Sequence, residues 1–161
     1  MRVAGIIHNS VVNGIGIRDV LFLQGCDHHC VGCHNPNTWS HTGGEEYTID
    51  ELVKEFESSA NDITISGGEP LLQFQELYEL MERLYKEQGK RFWLYTGFRY
   101  GEIPSYMLLM LVGMTDVIVD GRFEQDKKDL TLQFRGSSNQ RLIDLYESLL
   151  WDEIKLWEDK R

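Results

Sequence analysis

Long apolar runs are missing from this chain of 161 residues. None approaches the roughly 20 residues that a membrane helix needs, so no span of that kind is expected. Positive charge is short as well: 16 Lys and Arg against 26 Asp and Glu leave a formal net charge of −10. Recognition of nucleic acid through a broad basic face is therefore disfavoured. The one loose basic group, Arg122, Lys127, Lys128, Arg135 and Arg141, is interrupted by acids and reads as a solvated surface. Repeats, low-complexity tracts and Pro/Gly/Ser linkers are also lacking, so residues 1–161 read as a single domain. The first eight or so residues turn polar too quickly for a secretory signal peptide. The expected location is the cytoplasm, where thiols stay reduced.

Cysteine is scarce too, and its placement is informative. The chain has 3, all within residues 26–33, as Cys26-x-x-x-Cys30-x-x-Cys33. An odd number of thiols makes a poor disulfide framework. Three thiolates on one short loop can instead hold three corners of a cubane iron–sulfur cluster. The remaining iron would have no cysteine, and an open coordination position on a metal is a chemical position rather than a structural one. Zinc is the competing reading, because His28, His29, His34 and His41 flank the thiols and a site of three cysteines and one histidine is feasible. Structural zinc sites usually pair two ligand knuckles separated by a longer stretch, whereas all the thiols here share one loop. The spacing favours the cluster. His28 and His29 read as solvated loop residues rather than ligands.

Strands are expected at residues 3–8, 18–24, 62–66, 91–96 and 116–120, from β-branched and aromatic runs closed by glycine or polar residues. Helices are expected between them. Thr48 and Glu51 form a capping-box pattern ahead of Leu52, Val53 and Phe56. Residues 73–88 carry an apolar stripe through Phe74, Leu77, Leu80, Met81 and Leu84, with Gly89 as a stop. Residues 104–111 are a third candidate. Residues 141–146 and 153–157 fit either strands or one interrupted helix. Alternating strands and helices predict an α/β fold with a parallel sheet. A closed eightfold barrel takes about 250 residues. At about 30 residues per unit, this chain holds about four to five, a partial (β/α) barrel.

In such folds, ligands bind at the carboxyl ends of the strands. The cysteine loop follows the second strand. Ser66-Gly67-Gly68-Glu69-Pro70 follows the third, where adjacent glycines allow a ligand close to the backbone. Tyr95-Thr96-Gly97 and Asp120-Gly121-Arg122-Phe123 follow the next two. Taken singly, each is an ordinary turn; together they converge on one mouth.

At these residues the sequence resembles the radical S-adenosylmethionine enzymes. Cys26, Cys30 and Cys33 match their cluster loop, and Gly67-Gly68-Glu69 matches the motif that binds the methionine amino group. The nearer resemblance is to the activating enzymes of anaerobic (class III) ribonucleoside-triphosphate reductases. It is carried by Asn13-Gly14-Ile15-Gly16-Ile17-Arg18, Gln24-Gly25-Cys26, Gly32-Cys33-His34-Asn35-Pro36, Asp120-Gly121-Arg122-Phe123 and, most specifically, residues 134–141 (Phe-Arg-Gly-Ser-Ser-Asn-Gln-Arg). The resemblance implies two cofactors, a 4Fe–4S cluster on the three cysteines and S-adenosyl-L-methionine chelated to the open iron. An electron from a donor such as flavodoxin or ferredoxin would cleave the sulfonium bond. The resulting 5′-deoxyadenosyl radical would take a Cα hydrogen from a glycine of the reductase catalytic subunit. The wider superfamily often has an aromatic residue before the third cysteine to pack on adenine. Here that residue is Gly32, which moves the adenine contact to His34 or to backbone. Thr96 and Asp120 are further candidate contacts, chosen as converging strand ends. Other readings are an activator of pyruvate formate-lyase or a related enzyme, a small radical enzyme acting on a free small molecule, and a non-catalytic zinc or iron–sulfur module. The run 134–141 is rich in hydrogen-bonding groups, and it is expected to line the mouth and to dock the target or close over the cofactor.

Overall fold

The computed structural model describes residues 1–159. In chain order its elements are β1 (Arg2–Ser10), β2 (Arg18–Leu23), β3 (Glu45–Glu46), α1 (Ile49–Glu55), β4 (Asp62–Gly67), α2 (Phe74–Gln88), β5 (Phe92–Tyr95), α3 (Ser105–Leu111), β6 (Thr115–Asp120), β7 (Arg141–Asp144) and α4 (Leu145–Trp151). The capping box forms as read: Thr48 N–H donates to Glu51 Oε2 at 2.8 Å, and Glu51 N–H donates to Thr48 Oγ1 at 3.2 Å. The stripe on α2 is buried along its length, and Gly89 ends the helix with a positive φ of 69°.

The strands form one seven-stranded sheet in the order β3-β1-β2-β4-β5-β6-β7. Its middle, β2-β4-β5-β6, is parallel, as expected. Both flanks are antiparallel, which corrects the all-parallel reading. Connection chemistry explains the difference. A parallel return needs a crossover of about a dozen residues or more, usually a helix. Residues 11–17, between β1 and β2, are too few for one. Residues 121–140, between β6 and β7, contain only a single 3₁₀ turn, Gln125–Lys127. The ambiguous C-terminal part divides at Asp144, whose Oδ1 caps α4 by accepting from Glu147 N–H at 2.9 Å. Residues 153–157 are neither helix nor a long strand. They run along the open edge of β7, where Trp157 N–H donates to Leu142 O at 2.8 Å and Asp144 N–H donates to Lys155 O at 2.9 Å.

The central strands are buried against helices on one face and beneath connecting segments on the other. Leu21, Leu23, Ile63, Ile65, Phe92, Leu94 and Ile118 meet the apolar sides of the helices in the main core. Among the described residues, no helix lies against the centre of the opposite face. There Val20, Thr64, Trp93 and Val117 lie in one register row, buried beneath the segment between β1 and β2. Arg18 seals this floor. It is 3% exposed, with its guanidinium 5.7 Å from the Trp93 ring centroid, Nε donating to Thr64 Oγ1 and Nη2 to Ile63 O, each at 2.8 Å. Phe134 and Trp157 stand edge-on to Trp93 and close the row from the side. One row nearer the strand ends, Phe22, Ser66 and Tyr95 face an open cleft.

Candidate functional site

The cleft has a volume of about 300 Å³ and lies at the carboxyl ends of β2, β4, β5 and β6. Cys26, Cys30 and Cys33 line one side. His34, Gly67, Gly68 and Thr96 also line it, so seven of the expected residues share one space. The root of the cysteine loop is held by backbone: Gly25 N–H donates to Thr38 O at 2.7 Å and Cys26 N–H to Trp39 O at 3.1 Å. Cys33 N–H closes a turn on Cys30 O at 3.1 Å, and Asn35 N–H points at Cys33 Sγ at 3.3 Å. Burial pushes the Cys26 thiol up, while the amides of His28 and His29 pull it down. Burial likewise pushes Cys30 up, against the Phe123 amide and the Arg122 charge. A soft metal must displace protons from these thiols, so binding it releases them.

The glycine pair is built into the chain as much as it faces the cleft. A Cβ on Gly67 would lie 2.3 Å from Leu23 N, and one on Gly68 would lie 2.3 Å from Gly25 O. The turn therefore packs directly against the root of the cysteine loop. Gly68 N–H donates to Leu23 O and Glu69 N–H to Gly25 O, both at 2.8 Å. Both amides are thereby taken up within the chain.

Three expected contacts do not line the cleft. Gly32 packs against the side chains of Gln125 and Phe123. Asp120 is 1% exposed and binds the Arg141 guanidinium at 2.5 and 3.1 Å and the Tyr100 amide at 2.7 Å, tying the end of β6 to β7 and to the segment after β5. Glu69 lies behind the wall, also 1% exposed. His28 corrects the sequence reading: its side chain is 7% exposed rather than solvated, with Nε2 2.9 Å from Glu69 Oε2. His29 is exposed, as read. The expected mouth-lining run does reach the cleft, through Gly136 and Gln140. It is ordered by its own groups: Gln140 Oε1 accepts from Gly136 N–H at 2.9 Å, and Arg135 Nη1 donates to Gln140 O at 2.8 Å. Phe123, the last residue of the strand-end motif Asp120-Gly121-Arg122-Phe123, packs its ring 4.9 Å from that of His34 across the mouth.

The donor set fits an iron–sulfur cluster. Three soft thiols face one cleft, and a cluster takes one thiolate per iron at separate corners. Zinc instead needs all its ligands on one atom, about 2.0–2.3 Å away.

Comparison with known proteins agrees. Residues 12–143 match the family described as a 4Fe-4S single cluster domain, a stretch that holds every residue lining the cleft. That sets the class: a protein built around one 4Fe–4S cluster. Three relatives named anaerobic ribonucleoside-triphosphate reductase-activating protein narrow it. The chain is 39% identical to the one from Salmonella typhi over 140 residues, covering 81% of this chain and 90% of that protein. It is 37% identical to that of Escherichia coli (strain K12) over 139 residues, with the same coverage. It is 37% identical to that of Enterobacteria phage T4 over 141 residues, covering 81% of this chain and 86% of the phage protein. The chain belongs to the family of anaerobic ribonucleoside-triphosphate reductase-activating proteins.

Proposed function

We propose that this chain reductively cleaves S-adenosylmethionine at a 4Fe–4S cluster held by Cys26, Cys30 and Cys33, and so generates a glycyl radical on an anaerobic ribonucleoside-triphosphate reductase. The observation that carries this reading is the convergence of three thiols and the Gly67–Gly68 turn on one cleft. When bound, the two cofactors supply a one-electron cleavage of the sulfonium bond and a carbon radical able to take a glycine Cα hydrogen.

The chain's own groups hold and orient. The carbonyl side of the Gly67–Gly68 turn accepts the methionine ammonium, and Thr96 and His34 flank the methionine and adenine ends. Phe22, Tyr95 and Phe123 line the cleft with apolar surface and keep water from a reactive carbon centre. Burial raises the Tyr95 phenol far above its ordinary range, and its O–H donates to Phe134 O at 2.6 Å, so it stays neutral. Gly32 and Asp120 act by shaping the cysteine loop and the end of β6. The mouth opens past residues 134–141, and the target's glycine loop enters beside that run. In this reading the sheet is the wall of a partial barrel within a single domain. The electron comes from a one-electron carrier such as flavodoxin or ferredoxin, and the protein works in the cytoplasm.

The test is anaerobic reconstitution with iron and sulfide, then S-adenosylmethionine, reductant and the partner reductase. The reading expects 5′-deoxyadenosine, methionine and a glycyl-radical doublet in the electron paramagnetic resonance spectrum of the reductase. Cofactor cleavage with no radical on the reductase would assign the chain to another target.

A further inference from the structure

Glu69 has no capacity left for a ligand. Its carboxylate accepts from Leu71 N–H at 3.0 Å, Gly97 N–H at 2.7 Å, Thr96 Oγ1 at 2.9 and 3.0 Å, and His28 Nε2 at 2.9 Å. An ionised carboxylate has about four lone-pair sites, and four donors fill them. Because that carboxylate only accepts, Nε2 of His28 is the donor. The His28 ring is seated as closely as the bond implies. A Cβ on Gly97 would lie 2.3 Å from His28 Cδ2, and the Phe98 ring stands edge-on at 4.7 Å. On either side of it, Asp27 and His29 are exposed. His28 is thus the one residue between Cys26 and Cys30 whose side chain points into the protein and is fixed there.

We infer that Glu69 and His28 form a brace that positions the cluster loop against the cofactor-binding strand ends; the inference rests on the function proposed above. The brace joins three parts. His28 brings the stretch between two thiols, Glu69 brings the turn that carries Gly67 and Gly68, and Thr96 and Gly97 bring the end of β5. Glu69 is a positioning residue, set behind the site rather than in contact with S-adenosylmethionine. Its hydrogen bond to His28 fixes the distance between the iron left open by the three thiols and the carbonyls that take the ammonium. Groups that orient metal ligands in this way typically change metal affinity about 10–100-fold when removed.

Three variants test this: His28→Ala removes the donor, His28→Gln restores an N–H able to reach Glu69, and Glu69→Gln puts an amide among four donors. The first readout is amide hydrogen exchange of residues 26–33 in the apoprotein. It should rise in His28→Ala and Glu69→Gln and return toward wild type in His28→Gln. The second is iron loss to a chelator and S-adenosylmethionine affinity in the reconstituted protein. Each should worsen about tenfold in His28→Ala and Glu69→Gln, with partial rescue in His28→Gln. Combining His28→Ala with Glu69→Gln should be little worse than Glu69→Gln alone, because the Glu69 change already disturbs the bond to His28. Unchanged exchange and unchanged affinity in His28→Ala would overturn the brace, as would a His28→Gln no better than His28→Ala. Failure of the wild type to assemble a cluster would count against the proposed function alone, since the exchange experiment still judges the brace without it.

Discussion

On the helix side of the sheet, Leu21, Ile63, Ile65, Phe92 and Leu94 have no exposed surface and belong to one apolar cluster. On the other side, the same strands present Arg18, Thr64 and Trp93 at the floor and Phe22, Ser66 and Tyr95 at the cleft. Alternation along each strand separates the two sets, since successive side chains point to opposite faces. One face gains stability from buried area. The other gives up part of that area to keep a space open, and fixes its polar groups by hydrogen bonds instead of by packing. Changes should register as lost stability on the helix side, and as lost cofactor chemistry on the cleft side.

Phe92→Ala should produce the largest effect. It empties a fully buried aromatic site in the main core, at a cost of about 3–5 kcal/mol, visible in denaturant unfolding of the apoprotein. Gly68→Ala should rank next. Its Cβ meets Gly25 O, backbone just ahead of Cys26, so the strain falls on the cysteine loop as well as on the glycine turn. Overpacking of that kind costs about 1–3 kcal/mol. Calorimetric titration and iron analysis of the reconstituted variant should show cofactor affinity and cluster retention falling together. A fall in affinity with an unaltered cluster would separate two parts that the structure joins.

His8→Gln, on β1 away from the cleft, should have the smallest effect. Hydrogen bonds to Asp19 and Glu55 raise His8 above its ordinary value. A raised folded value means that its stabilisation is complete below the unfolded value of about 6.5 and fades as pH rises through the folded one. Asp19 behaves oppositely. Burial pushes it up, but hydrogen bonds from Asn61, Ser59, Asn9 and His8 outweigh burial and lower it, so its contribution fades only as pH falls through that lowered value. Between about pH 6 and pH 8, the wild-type melting temperature should drop slightly more than that of His8→Gln, by about a degree or two, the scale of a surface substitution. Equal slopes for the two proteins would remove His8 from the balance.

Much of this was legible in the sequence, for local reasons. The thiols and the glycine turn are contiguous motifs, and α1 and α2 carry their own caps and stripes. Strand direction at the flanks was less legible, because hydrophobic periodicity marks a strand without saying which way it runs. The length of residues 11–17 held that information, through the crossover that it cannot contain. His28 reads as solvated in the sequence because its partner lies 41 positions away, and nothing local distinguishes it from exposed His29. Asp120 reads as a contact from its place at a strand end, yet its partner Arg141 is on β7, a strand that periodicity alone does not define.

The cleft face is expected to carry the chemistry through three thiols, and the helix face to carry the fold. Iron content of Cys26→Ala, Cys30→Ala and Cys33→Ala after anaerobic reconstitution tests this most directly, measured beside apoprotein unfolding. About four irons per wild-type chain are expected. Each variant should lose the cluster able to cleave S-adenosylmethionine, with apoprotein stability close to wild type. Full iron content and wild-type turnover in any one of the three variants would contradict this.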